Sequence, residues 1–142
     1  MEVDNVRKAA ESVIEKQKIV YVGSVNGSGL PEIRAMLAPR KREGIRTFYL
    51  TTNTSSSKIS QFQNNDKASL YFCNETSFKG VLLTGKIQVL HDQGSKEMIW
   101  REGDTMYYPG GVTDPDYCVL KFTARSCRMY GNFNVEEFDI EQ

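Results

Sequence analysis

The chain has 142 residues, of which 39% are apolar and 25% are charged, and its formal net charge is zero. These values are typical of one soluble globular domain over residues 1–142, and they argue against a protein devoted to nucleic acid or to a membrane surface. No apolar run approaches the roughly 20 residues that span a bilayer, and charges stand where a signal peptide would be apolar, so we expect a cytoplasmic protein.

The first third of the chain predicts one helix followed by three strands. Residues 4–18 place apolar side chains at helical spacing. Residues 19–25 and 31–37 predict two strands joined by a tight turn, and residues 46–52 predict a third. The polar, basic segment at residues 39–46 is most simply a solvated hairpin loop.

The remainder of the chain continues mainly as strands. Further strands are predicted at residues 68–74, 79–90, 117–123 and 126–130. A helical segment capped by Asp92 and an irregular loop at residues 106–116 separate the two pairs, and an acidic tail follows the last strand. Six or seven antiparallel strands with few helices indicate a mainly β fold, a β-barrel or sandwich with flanking helices.

Cysteine and histidine usage limits the chemistry. Cys73, Cys118 and Cys127 lack metal-ligand spacing and lie in apolar segments, which predicts reduced core thiols. His91 is the only histidine, so metal sites built from several imidazoles and most histidine-based triads have too few residues. We predict no metal site.

Residues 51–58 are the most informative stretch for function. They join the apolar strand to a short helical segment through a run of hydroxyl side chains that ends in Lys58. A helix start presents unpaired N–H groups and the positive end of its dipole, which suits a phosphate. Serine and threonine are also the preferred helix caps, so both interpretations remain open from these residues alone.

A second cation strengthens the anion-site interpretation. Arg34 lies on the strand before the basic segment, and antiparallel pairing could bring its guanidinium beside Thr52, Ser56 and Lys58. The chain lacks GxSxG, GxGxxG and Walker motifs, so the usual hydrolase and nucleotide signatures offer no competing site.

The order of these motifs resembles the pyridoxamine 5′-phosphate oxidase-like, FMN-binding split-barrel family, and within it the general stress protein branch. The matching segments are residues 34–37, 48–52, 56–58, 62–65, Gly85 with Asp92, Trp100, residues 108–110, residues 114–116 and the strand that ends near Tyr130. They occur in the family's order over nearly the whole chain.

The resemblance implies a split barrel, an FMN cofactor and a homodimer with flavin at the interface. The cofactor-binding residues that it implies are Arg34, Met36, Leu37, Thr51, Thr52, Ser56, Ser57 and Lys58. Further residues that could line the cavity or act from the partner subunit are Trp100, Tyr108 and Tyr130. A small-molecule substrate is implied, and neither nucleic acid nor membrane is predicted as a partner.

One departure from the family pattern bears on the cofactor's phosphate site and another on the substrate. Ser57 stands where the true oxidases commonly carry arginine, and residues 127–131 lack the tryptophan and the later Arg-x-His pattern that hold the vitamin's phosphate. Pyridoxamine phosphate is therefore not the expected substrate.

Three functional classes remain. The first is an FMN-dependent oxidoreductase that passes electrons from a reductant such as NAD(P)H to an unidentified small acceptor. The second is non-catalytic binding or storage of FMN, or of a related deazaflavin or tetrapyrrole, in a stress protein. The third is an oligonucleotide-binding barrel that uses Arg40, Lys41 and Arg42, and the neutral net charge counts against it.

Overall fold

Eight antiparallel strands form one sheet in the part of the chain, residues 2–142, that a computed structural model describes. The elements are α1 (Glu2–Glu15), β1 (Ile19–Val25), β2 (Pro31–Leu37), β3 (Lys41–Glu43), β4 (Thr47–Asn53), α2 (Ser57–Asn64), β5 (Lys67–Asn74), β6 (Lys79–Leu90), α3 (Gln93–Ile99), β7 (Tyr117–Gly131) and β8 (Asn134–Asp139). Short 3₁₀ turns at Asp104–Met106 and Gly111–Thr113 lie between α3 and β7.

The strand order is β2-β1-β5-β6-β7-β4-β3, and β8 pairs with β7 beside this path. The sheet is not closed, because the path begins at β2 and ends at β3. The predicted mainly β class with flanking helices is confirmed. None of the helices within residues 2–142 is both long and apolar enough to cross a bilayer.

The two closing strands predicted from the sequence are one strand. β7 runs without a break from Tyr117 to Gly131, and its pairing with β6 shifts register between Thr84 and Gly85. At Gly85 a Cβ atom would lie 2.0 Å from the carbonyl oxygen of Thr123, so only glycine fits this close approach. β6 and β7 stay paired on both sides of this register shift, so β7 does not end there.

The acidic tail is also a strand for most of its length. β8 pairs with the second half of β7, and Glu137 lies opposite Arg128 and forms an ion pair with it. Most β8 side chains are exposed, and the strand has few apolar residues to mark it in the sequence. The composition of this segment therefore did not predict a strand, because the strand forms through its pairing with β7.

The core lies between the sheet and two of the helices. Rings of Phe48, Phe72 and Phe122 meet at its centre, with centroids 6.0 and 6.1 Å apart. α1 and α2 cover this cluster with buried apolar side chains, namely Ala10, Val13, Ile14, Ile59 and Phe62. A fully buried phenylalanine contributes about 1.5–3 kcal/mol, so these contacts fix α2, which carries Lys58, on the sheet.

Part of the basic segment is not solvated. Arg40 forms a bidentate ion pair with Asp104, with both N–O distances 2.8 Å and side chains only 8% and 4% exposed. Arg42 pairs with Glu11 at 2.7 Å and also with Glu15 of α1. The expectation of solvated surface is therefore wrong for Arg40, whose carboxylate partner lies 64 residues away in sequence.

All three cysteines are free thiols. Cys118 and Cys127 are buried, and Cys73 is half-buried and not part of the core.

Candidate anion-binding site

Arg34 is positioned by the β1–β2 hairpin. It pairs in register with Val22, and Glu32 pairs with Ser24. Because side chains alternate along a strand, Arg34 and Glu32 share the face of the hairpin on which Val22 and Ser24 are buried. The Arg34 side chain is accordingly only 22% exposed.

Part of the Arg34 guanidinium donates hydrogen bonds to acceptors within the protein. Its Nη1 donates to the carbonyl oxygen of Val22 at 3.2 Å and to Ser24 Oγ at 2.8 Å. Its Nη2 donates to Gln61 Oε1 of α2 at 3.3 Å. A guanidinium has five N–H donors. Within residues 2–142 no hydrogen bond engages Nε, whereas Nη2 also lies 3.6 Å from Glu32 Oε1, so Nε is the donor left for an anion.

The serines at the start of α2 are not explained by helix capping. Ser56 holds the N-cap position, yet its side chain makes no capping hydrogen bond. Its Oγ instead lies 2.7 Å from Nζ of Lys58. Asp116 holds the turn before the helix, since its carboxylate accepts from the backbone N–H of Ser55 and from Asn53 Nδ2, each at 2.8 Å.

Arg34 lies close enough to Lys58 to affect the pKa of the lysine. Burial lowers the pKa of Lys58, and the positive charge of Arg34 lowers it further. Burial also lowers the pKa of Arg34, which the nearby Glu32 partly opposes. No carboxylate of residues 2–142 forms an ion pair with Lys58. An anion between them would relieve this repulsion, and hydrogen bonds to charged groups are worth about 1.5–3 kcal/mol each.

The other predicted cofactor residues surround this pair unevenly. Ser57 is exposed at the first position of α2, whereas Thr52 is buried on β4 opposite Cys118. Met36 lies on the Arg34 face of β2, and Leu37 points to the other face and is 44% exposed. Thr51 is half-buried on β4, next to Thr52 in the chain.

Two of the three predicted aromatic residues lie in a separate cluster. Trp100 packs against Tyr108 and Tyr117, with ring centroids 6.1 and 5.2 Å apart, and Tyr108 is only 3% exposed. Burial raises the pKa of Tyr108, and its hydrogen bond with Thr51 opposes that shift. Tyr130 lines a cavity of about 330 Å³ on the outer face of the sheet. Their roles toward a ligand stay predictions.

Sequence reasoning missed the residues that contact Arg34 and the residue that holds the turn before α2. Gln61 accepts from both Ser24, at 2.5 Å, and Arg34, at 3.3 Å. Its position three residues after Lys58 places it on the same helix face, which was the available signal. Asp116 and Glu32 were likewise overlooked, and Glu32 precedes Arg34 by two positions on one strand face.

A cavity of about 590 Å³ borders this network between the β1–β2 turn and α2. Its lining includes Ser57, Ser60 and Gln61. Across the described residues, no group of three or more histidine, cysteine, aspartate or glutamate side chains is placed to hold a metal ion.

A model of the family described as pyridoxamine 5′-phosphate oxidase matches residues 6–131. The chain belongs to the pyridoxamine 5′-phosphate oxidase family. The matched range contains every predicted cofactor residue and the strands β1 to β7. No curated protein sequence matches the chain significantly.

Solved structures agree with this family assignment. A protein related to general stress protein 26 from Clostridium acetobutylicum is 39% identical, with 96% of this chain and 95% of that chain covered and a TM-score of 0.88. General stress protein 26 from Bacillus anthracis is 16% identical, with 96% and 99% covered and a TM-score of 0.79. A pyridoxamine 5′-phosphate oxidase-related, FMN-binding protein from Nostoc punctiforme is 11% identical, with 97% and 96% covered and a TM-score of 0.64.

Proposed function

We propose that this protein binds FMN and holds the flavin phosphate between Arg34 and Lys58. The observation that carries the proposal is a half-buried lysine near a second half-buried cation, since burial lowers the pKa of Lys58 and the charge of Arg34 lowers it further. Such an arrangement costs free energy unless an anion balances it. A structural relative is described as FMN-binding, which agrees with this choice of ligand.

The donor set fits a phosphate group. Arg34 contributes its Nε–H, Lys58 an ammonium, and Ser56 and Ser57 hydroxyls at a helix start. Thr52, which is buried although its neighbours on β4 are only half-buried, would contribute a hydroxyl. The backbone of Met36, Leu37 and Thr51 would lie against the flavin ring. FMN supplies reversible electron transfer at its ring when bound, so the chain needs to bind and orient it and to exclude water.

The activity that we propose is an FMN-dependent oxidoreductase. It would use a reductant such as NAD(P)H and a small acceptor other than pyridoxamine phosphate, because residues 127–131 lack the family's vitamin-phosphate residues. A non-catalytic flavin-binding stress protein is the second candidate, favoured by the description of the 39% identical relative as related to general stress protein 26.

A homodimer belongs to the same proposal. Leu30, Ile33 and Leu37 lie on or beside the edge strand β2 and are 60%, 68% and 44% exposed. Ile19, which pairs with Leu37 in register, is 44% exposed on the same face. A second copy would cover this apolar face and bring its own residues toward the flavin.

The test is the absorption spectrum of the purified protein, followed by titration with FMN. We expect a flavin spectrum, and uptake that Arg34→Ala and Lys58→Ala weaken strongly while Lys41→Ala, a change at an exposed lysine of β3, leaves it intact. Equal uptake by all four proteins would refute the site. No flavin uptake, or a haem spectrum as one structural relative's description suggests, would refute FMN as the cofactor.

Anaerobic reduction separates the two candidate functions. Rapid bleaching of the bound flavin by NADH or NADPH is expected of the oxidoreductase. Stable binding without reduction by either nucleotide would favour the flavin-binding stress protein.

A further inference from the structure

A carboxylate lies directly beside the proposed phosphate site. Glu32 Oε1 is 3.6 Å from Arg34 Nη2, on the same face of β2. Its two oxygens are each fixed by an amide, since Oε1 accepts from Gln61 Nε2 and Oε2 from Asn26 Nδ2, both at 2.9 Å. The carboxylate therefore cannot swing away from Arg34 without breaking hydrogen bonds to two different elements, the β1–β2 turn and α2.

Glu32 is held in its charged form. The hydrogen bond from Asn26 lowers its pKa most, and the hydrogen bond from Gln61 and the charge of Arg34 lower it further. At neutral pH the cluster of Arg34, Lys58 and Glu32 thus carries one net positive charge. A phosphate monoester carries close to two negative charges above its second pKa of about 6.

We propose that Glu32 is the residue that sets the charge specificity of this site, weakening the binding of a doubly charged phosphate group. The inference rests on the proposed FMN site. Repulsion between the carboxylate and the phosphate opposes the attraction of the two cations. The phosphate consequently contributes less to the affinity for FMN than Arg34 and Lys58 alone would provide.

A purely structural role for Glu32 gives a different expectation. Glu32 accepts a hydrogen bond from Gln61, and Gln61 in turn accepts one from Arg34. In a purely structural role, replacing Glu32 would therefore displace the guanidinium. Misplacement would weaken phosphate binding, whereas loss of the negative charge strengthens it. Salt also separates the roles, because ions screen a charge effect and leave a packing effect unchanged.

The experiment compares wild type, Glu32→Gln and the control Glu97→Gln, which removes a negative charge from an exposed position of α3. FMN and riboflavin are titrated into each protein at pH 8, in low salt and in high salt. Riboflavin carries the same ring without phosphate, so the ratio of the two dissociation constants isolates the phosphate contribution.

We expect Glu32→Gln to tighten FMN binding by about 3- to 10-fold in low salt, with a smaller gain in high salt. Riboflavin affinity should stay within about twofold, and Glu97→Gln should match wild type. Unchanged or weaker FMN binding by Glu32→Gln, equal tightening of both flavins, or a gain that salt does not reduce would overturn the inference while leaving the proposed FMN site standing. Absence of flavin binding in all three proteins would overturn both.

Discussion

Replacing Lys58 by methionine tests two effects of this lysine separately. One is its contribution to FMN binding, and the other is its effect on the stability of the protein without flavin. Methionine retains an unbranched apolar stem and removes the ammonium that lies 2.7 Å from Ser56 Oγ. A hydrogen bond to a charged group is worth about 1.5–3 kcal/mol, and each 1.4 kcal/mol is tenfold in affinity. We therefore expect the dissociation constant for FMN to rise about 10- to 100-fold, measured by flavin fluorescence titration, with riboflavin affinity nearly unchanged.

The same substitution should not destabilise the protein without flavin. The folded-state pKa of Lys58 is lowered, by burial first and by Arg34 second, so its charged form opposes folding. This cost is fully present below the folded-state pKa and disappears as the pH rises above the unfolded value of about 10.4. Removing the charge offsets the lost bond to Ser56, so the thermal midpoint at pH 7 should stay equal or rise.

Lys41→Met is the matched control, because Lys41 is exposed on β3. It should change neither flavin affinity nor the thermal midpoint. The reasoning is refuted if Lys58→Met binds FMN as tightly as wild type. It is also refuted if the variant without flavin melts more than about 5 °C lower, since Lys58 would then be a structural residue.

Three further predictions concern the stability and the packing of the fold. Asp104→Asn leaves the buried Arg40 charge unpaired and should cost about 3–5 kcal/mol in urea unfolding at pH 7. Arg40 lowers the pKa of Asp104, so the stabilisation by this ion pair is fully present above the unfolded-state pKa of about 3.9. It is lost as the pH falls through the folded-state pKa of Asp104. A stability difference between variant and wild type that persists unchanged into strong acid would contradict this reasoning. Gly85→Ala places a methyl group 2.0 Å from a carbonyl oxygen of β7 and should cost at least about 1–3 kcal/mol by the same measurement, so wild-type stability would argue against this close approach. Burial raises the pKa of Cys127 to about 12, so Ellman's reagent should modify Cys73 alone in the folded protein and all three thiols after unfolding; rapid reaction of more than one thiol before unfolding would contradict the burial.

The local sequence sufficed for elements whose own residues determine them. Alternating apolar residues predicted β1 and β2, and Asp92 was identified as the cap of α3, where its carboxylate accepts from Ser95 N at 3.0 Å. The paired hydroxyls and lysine at residues 51–58 were recognised because helix starts have a strong local signal.

Features that depend on distant partners were mispredicted or missed. β8 is a strand because it pairs with β7, although the composition of β8 is that of a charged tail. Arg40 is buried because Asp104 lies across from it in the folded chain, and no local pattern near residue 40 indicates such a partner.

The sequence by itself determined the family, the mainly β class and the presence of one cationic residue on each of two elements, β2 and α2. Only the tertiary structure decided that Arg34 acts on the pKa of Lys58, that Gln61 orients Arg34, and that Glu32 adds a negative charge beside them. Spacing along the chain fixes which face a side chain takes, because strands and helices have regular periods. The charge of a site, in contrast, depends on which elements pack together, and that depends on burial of the whole core.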